Sequence, residues 1–182
     1  MASQADVRPE STDEQTVVRD VVRRAFGDED RVPDLVDALR DSWAWVDGLS
    51  LVAVVDDEVV GHVLLTRALL DAPHRLVDVL VLSPLSVAPE HQRQGVGAAL
   101  VRAAAEHAEA HGSPLLFLEG DPAYYRRRGF EAAGTLDFRR PSTRIPEEAF
   151  QVMRLATYSP DLTGTLVYPD AFWRLDCVGL RD

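Results

Sequence analysis

Apolar residues Val17, Val18, Val21, Val22, Ala25 and Phe26 recur at helical spacing, which predicts an amphipathic helix capped by Ser11 or Thr12 and stopped by Gly27. An extended piece at Asp6–Arg8 precedes it, and a shorter helix is expected over Pro33–Leu39. Trp43 and Trp45 follow in a less regular stretch. The pattern then changes to strands: Ser50–Val55, a tight turn at Asp56 and Asp57, and a hairpin partner over Val59–Thr66. Leu76–Val87 reads as a longer strand, and Pro84 inside it cannot donate a ladder hydrogen bond, so a bulge or local opening is expected there. From Gly95 to His111 the chain is rich in alanine with Arg102, Glu106 and Glu109 on one side, a clear helix that Gly112 ends. Leu115–Leu118 is a short buried strand, parallel to Leu76–Val87 because the helix supplies the crossover. A short helix over Pro122–Arg128, strands near Phe130–Ala132 and Phe150–Leu155, and an Arg- and Pro-rich loop from Gly134 to Pro146 complete the reading. The expected class is α/β (α+β): an antiparallel meander followed by a strand-helix-strand unit.

Composition narrows the function. With 182 residues, 46% of them hydrophobic, one substantial core and one domain over residues 1–182 are expected. Thirty acidic residues against 19 basic, a net charge of -11, argue against nucleic acid and anionic membranes as partners. The chain has no lysine, which removes Schiff-base chemistry and lysine-dependent phosphate loops. Its one cysteine, Cys177, excludes an intrachain disulfide and stands far from any obvious base. Met1–Glu14 is polar and acidic, and the apolar run Leu76–Val87 is broken by Asp78 and Pro84, so neither a signal peptide nor a membrane span is expected and the cytoplasm is the expected compartment.

The chemistry concentrates in Leu85–Gly97, between a strand and a helix. Gly95 and Gly97 keep side chains away, so the free N–H groups of the first helical turn can converge on a diphosphate. The helix dipole adds about 0.3–1 kcal/mol per favourable charge. Arg93, with Arg126, Arg127 and Arg128 downstream, supplies local positive charge in an acidic protein, since screening over about 8 Å lets near charges outweigh distant ones. A Gly-X-Gly turn taken alone is equally consistent with a plain tight turn.

Context decides. The segment resembles the GNAT superfamily of acyl-CoA-dependent N-acetyltransferases, whose Gln/Arg-X-X-Gly-X-Gly/Ala loop is matched by Gln92, Gly95 and Gly97. A second family element, Tyr-X-X-X-Gly-Phe, is matched by Tyr125, Gly129 and Phe130. Glu119–Tyr125 and Tyr168–Phe172 extend the likeness to a subgroup of uncharacterised bacterial members. Gly120-Asp121-Pro122 departs from the Asn that other members often carry before the tyrosine helix.

The resemblance implies the GNAT fold: a mixed, mostly antiparallel central sheet with a splayed parallel pair, flanked by helices. It implies acetyl-CoA as co-substrate and direct attack by an acceptor amine in a ternary complex. The backbone of Leu85 and Val87 would hold the pantetheine arm, the Val87 N–H would polarise the thioester carbonyl, Gln92 would belong to the cofactor-binding loop, and the amides of Arg93, Gln94, Gly95, Val96, Gly97 and Ala98 would hold the pyrophosphate. Tyr125 matches the general acid for the departing thiolate. For the base, Glu119 at a strand end and a water chain are both open. His62 could reach the same cleft, although an isolated strand histidine is more often structural. His107 and His111 have metal-like spacing without a third ligand, so no metal is expected. Trp43, Trp45, Phe138, Arg139 and Arg140 fall where family members shape the acceptor pocket, and the tryptophans fit a core role equally well. The acceptor is expected to be a small-molecule or peptide amine, and both a monomer and a homodimer remain open.

Two rivals stand beside this reading. A dinucleotide-binding Rossmann unit shares the glycine turn, but Leu100 occupies the third glycine position and the upstream strands are antiparallel. A non-catalytic acyl-CoA-binding regulatory domain would keep the cradle without transfer.

Overall fold

The computed structural model describes residues 5–179; the first four residues of the polar opening segment lie outside them, as do residues 180–182. Two compact units result, one built from the chain up to Thr66 with Leu82–His107, the other from Arg67–Val81 with Ala108 onward.

In the first unit, β1 (Asp6–Pro9) pairs antiparallel with β2 (Ser50–Val55), which pairs antiparallel with β3 (Glu58–Asp71). The β2–β3 turn is Asp56 and Asp57 at φ 49° and 65°, the left-handed pair that a two-residue hairpin demands. Strand β2 buries Leu51, Val52 and Ala53 completely, so both its faces are covered and the sequence reads as a continuous apolar run. Helix α1 (Gln15–Ala25) is entered through a 3-10 turn, with the Ser11 N–H donating to Glu14 Oε2 at 2.8 Å. It buries Val18, Val21 and Val22, while α2 (Arg31–Arg40) buries Leu35, Val36 and Leu39. Arg19 of α1 spans to Asp34 (2.8 Å) and Asp37 (2.5 Å) of α2. Strand β4 (Leu76–Val87) ends in this unit, and α3 (Val96–His111) begins in it.

A buried polar chain crosses the β1–β2–β3 ladder. Arg40, 9% exposed, is paired with Glu10, 5% exposed, and with Asp37 at 2.9 Å. The Ser50 hydroxyl donates to Glu10, so its oxygen accepts from His62 Nε2 at 2.8 Å, which places the ring proton on Nε2 and leaves the buried Nδ1 without a partner. Burial, and secondarily Arg40, pulls the His62 pKa down to about 3. His62 is therefore a neutral structural histidine, the more frequent fate of such a residue.

A stability consequence follows from that depressed value. The unfolded chain takes up a proton near pH 6.5 and the folded chain only near 3, so this contribution is complete above pH 6.5 and is lost progressively as pH falls toward 3. At about 1.4 kcal/mol per pH unit, His62 should cost about 2 kcal/mol between pH 6.5 and 5. Urea unfolding of wild type and His62→Asn at the two pH values should show a smaller drop in the variant.

In the second unit, β5 (Leu115–Glu119) lies parallel to β4 through Leu80↔Leu116 and Val81↔Phe117, and antiparallel to β8 (Phe150–Arg154). Strand β6 (Glu131–Ala132) pairs antiparallel with β8. Strand β9 (Gly164–Val167) pairs antiparallel with β3 at Leu69–Asp71 and parallel with β7 (Phe138–Arg139). Helices α4 (Pro122–Arg126) and α5 (Asp170–Arg174) are short. The core centres on Phe117, stacked on Phe150 at 5.5 Å and met edge-on by Phe138 at 5.2 Å. The sheet is mostly antiparallel, with the expected parallel pair at β4–β5 and a second, short one at β7–β9, and it is flanked by helices. The sequence reading missed β7, β9 and α5 and ended β3 at Thr66, five residues early. Among the described residues no helix is long and apolar enough to cross a membrane.

Candidate active site

The first unit carries a glycine turn that leads into a long helix, the local geometry that can hold an anion. After β4, Ala88 is held by its N–H on Val60 O at 2.8 Å, and Pro89–His91 form a single 3-10 turn. The chain then turns through Arg93 at φ 59° and Gly95 at φ 90° before α3 starts. The left-handed conformation at Gly95 suits glycine, and a Cβ there would meet nothing within 4 Å, so the space over it is open. The Ala99 N–H bonds back to Gly95 O at 3.0 Å. The preceding amides of Val96, Gly97 and Ala98 have no acceptor inside the helix, the condition for holding an anion.

Two glutamines stiffen the turn. Gln92 Nε2 donates to Val87 O at 3.0 Å, and Gln94 Nε2 to Glu90 O at 2.8 Å. Gln92 thus bonds to the strand end and shapes the loop. Arg93 is exposed, whereas Glu90 is paired with Arg24 at 2.6 Å. Beneath the turn Gly61 admits the helix: a Cβ there would lie 2.9 Å from Leu100 Cδ1 and 3.2 Å from Ser86 O. Gly61 had no expected role, and the sign of it in the sequence is a glycine inside a strand pattern.

The second unit holds both proposed proton-transfer groups. Asp121 accepts from the Ala123 N–H at 2.9 Å and caps α4, and Pro122 stands at its first position. Tyr125 lies on that helix, its ring edge-on to Phe130 (5.6 Å) and to Tyr124 (4.9 Å). Burial first, then Tyr124, pushes the Tyr125 phenol well above its ordinary value, so it keeps its proton at any working pH. Arg128 is spoken for: its guanidinium lies 3.5 Å over the Tyr124 ring and donates to Tyr124 O, while Arg126 and Arg127 are exposed. Gly120 is required by Tyr125, since a Cβ there would lie 2.5 Å from the ring Cε2. That contact accounts for a glycine at position 120.

Glu119 ends β5 and is largely buried. Desolvation raises its pKa, opposed by a hydrogen bond from Tyr168 Oη at 3.3 Å, one from the Gly179 N–H at 3.1 Å, and the charge of Arg144. Neither Tyr168 nor Gly179 was a candidate from sequence, although Tyr168 opens a segment noted there without a role. Gln151, also buried, donates to Gly120 O at 3.1 Å.

The remaining candidates are dispersed. Phe138 is core, Arg139 donates to Thr165 Oγ1 at 2.9 Å, and Arg140 pairs with Glu147 at 3.0 Å. Trp45 lines a polar concavity of about 650 Å³ with Glu10, Arg19 and Arg40, and its Nε1–H donates to Asp47 at 3.0 Å. Trp43 is 48% exposed. Among the described residues no group of three or more His, Cys, Asp or Glu could hold a metal ion.

Comparison with known proteins converges on one family. The model of the acetyltransferase (GNAT) domain matches residues 6–133. The uncharacterised N-acetyltransferase YjhQ of Escherichia coli K12 is 38% identical over 151 residues, covering 81% of this chain and 82% of that protein. The crystal structure of the E. coli GNAT family N-acetyltransferase YhbS in complex with CoA superimposes with a TM-score of 0.83 at 30% identity, over 96% of this chain and 94% of the other. A GNAT family acetyltransferase from Brucella melitensis in complex with acetyl-CoA gives 0.74 at 29% identity, over 93% and 99%. A glycine-lined helix start after a strand, a capped tyrosine helix and this breadth of likeness make the chain a member of the GNAT family of N-acetyltransferases.

Proposed function

We propose that the protein acts as one catalytic domain over residues 1–182 that moves the acetyl group of acetyl-CoA to a primary amine by direct attack in a ternary complex. The observation that carries this is the open, left-handed turn at Gly95 that leads directly into the first turn of α3 at Val96, Gly97 and Ala98. The CoA and acetyl-CoA present in the YhbS and Brucella structures support it. The acidic, single-cysteine composition supports the cytoplasm as its place of work.

Acetyl-CoA supplies an activated thioester. The amides of Arg93–Ala98 hold its diphosphate, with Gln92 and Gln94 keeping the turn in shape. The backbone of Leu85 and Val87 orients the pantetheine arm, and the Val87 N–H polarises the carbonyl. As the C–N bond forms and the C–S bond breaks, Tyr125 gives its proton to the thiolate and Glu119 takes one from the amine. Solvent then reprotonates Tyr125 and drains Glu119. Burial keeps the Tyr125 phenol protonated but makes it a weaker acid, so its help to the thiolate comes from proximity, whereas a carboxyl raised by burial is a stronger base than an exposed one.

A thermal-shift series tests the cradle. Acetyl-CoA or CoA at about 100 times Kd should stabilise by about 2.7 kcal/mol, or about 5–10 °C for a chain of this length, and NAD should give no shift. A shift with NAD and none with either CoA form would reject the assignment. Thiol release on an amine panel tests transfer, and binding without release on every acceptor would leave only a regulatory role.

Gly120→Ala tests the placement of Tyr125. The added methyl must displace the ring, and a 1 Å error in a reacting group costs on the order of 10²-fold in rate. Thiol-release kinetics should show that loss in kcat, with CoA affinity by calorimetry unchanged.

A further inference from the structure

The chain from Tyr168 to Gly179 returns to Glu119 from 49 and 60 positions away in sequence. Tyr168 follows β9, with its ring 4.8 Å from Phe172 of α5, and Pro169 starts that helix. After α5 the Cys177 N–H bonds to Phe172 O at 2.8 Å, Asp176 turns at φ 60° and Gly179 at φ 80°. This return aims two donors at one carboxylate: Tyr168 Oη at Oε2 (3.3 Å) and the Gly179 N–H at Oε1 (3.1 Å). Glycine is needed at the second point, because a Cβ on Gly179 would lie 2.7 Å from Arg144 Cβ and 2.8 Å from Arg144 O.

We infer that Tyr168 and the Gly179 amide are positioning groups that clamp the Glu119 carboxylate, fixing its rotamer and favouring its ionised form, so that the C-terminal segment completes the base of the transfer reaction. The inference rests on the reading of Glu119 as that base. A largely buried carboxylate at a strand end would otherwise rotate or take up a proton. Two hydrogen bonds to its oxygens oppose both, and the donors leave lone pairs on Oε1 and Oε2 for an incoming ammonium or amine N–H. The charged and titratable groups that bear on Glu119 are Tyr168 and Arg144, and both favour its ionised form. Tyr168 is buried and keeps its proton, so it serves as a permanent donor. The Tyr168–Phe172 segment thereby gains a function: the tyrosine donates, and the proline and short helix steer the chain so that Gly179 arrives on the other oxygen.

The test combines kinetics with a direct titration. The Glu119 side-chain carboxyl is followed by carbon NMR in full-length wild type, Tyr168→Phe and Gly179→Ala, with circular dichroism to verify folding. Loss of one hydrogen bond to a charged group should raise the Glu119 midpoint by about one pH unit. The acid limb of kcat/KM for acetyl transfer to an amine from the panel should move upward by the same amount in Tyr168→Phe. A merely structural tyrosine would lower stability and leave both midpoints in place, and that result overturns the clamp. Glu119→Gln separates the two layers. If it abolishes the acid limb, the base reading stands. If it turns over like wild type while Tyr168→Phe still shifts the NMR midpoint, the clamp is supported and the base reading fails.

Discussion

Tyr125→Phe lowers kcat for acetyl transfer by about 10²–10⁴-fold and leaves CoA affinity unchanged, the size of effect that loss of a positioned general acid produces. The substitution removes only the hydroxyl. The ring keeps its edge contacts with Phe130 and Tyr124, and α4 keeps its Asp121 cap, so the variant folds as wild type does. Burial holds the phenol in its protonated form, hence no basic limb belonging to Tyr125 is expected in the wild-type pH profile below about pH 10. Pre-steady-state thiol release at saturating acetyl-CoA is the measurement that isolates the step. A variant with wild-type kcat would move the acid role elsewhere, with solvent as the alternative donor to the thiolate.

Gly95→Ala separates binding from stability. Without a ligand the new methyl touches nothing within 4 Å, so the fold loses only the strain of holding alanine at φ 90°, about 1–2 kcal/mol. Binding suffers more. The methyl projects where a diphosphate would lie, and relaxing φ turns the amides beside it away from their common target. Loss of two charge-assisted hydrogen bonds, at about 1.5–3 kcal/mol each, weakens CoA by about 10²–10⁴-fold. Calorimetric titration against CoA gives the affinity and urea unfolding the stability. Equal losses in the two would identify Gly95 as a turn residue and remove its place in the cradle.

Elements with strong local signals were legible in the sequence. Strands β2 and β4 have the bounds that their apolar runs predict, and α3 starts one residue later than expected, at Val96. The Asp56–Asp57 turn and the Gly112 stop follow from residue chemistry alone. Strand β3 was cut short because Arg67 reads as a polar end, yet Leu69–Asp71 continue by pairing with β9. Strands β7 and β9 are two and four residues long and exist because a partner edge is present, which no periodicity can announce. Phe138 meets the Phe117 ring and Arg140 pairs with Glu147, contacts that no local pattern announces.

The sequence by itself determined a glycine-spaced helix start after a strand and a short helix that carries Tyr125. Both depend on neighbours a few positions apart: glycine spacing, a helix start, Asp121 before Pro122. Only the tertiary structure decided the state of the buried titratable groups. His62 is neutral because burial, and secondarily Arg40, disfavours its charged form, and Glu119 acquires Tyr168 and Gly179 from the far end of the chain. The cost of desolvating a charge, and the donor that offsets it, are set by what folds against it, and those partners are separated from it by loops whose paths no local pattern encodes.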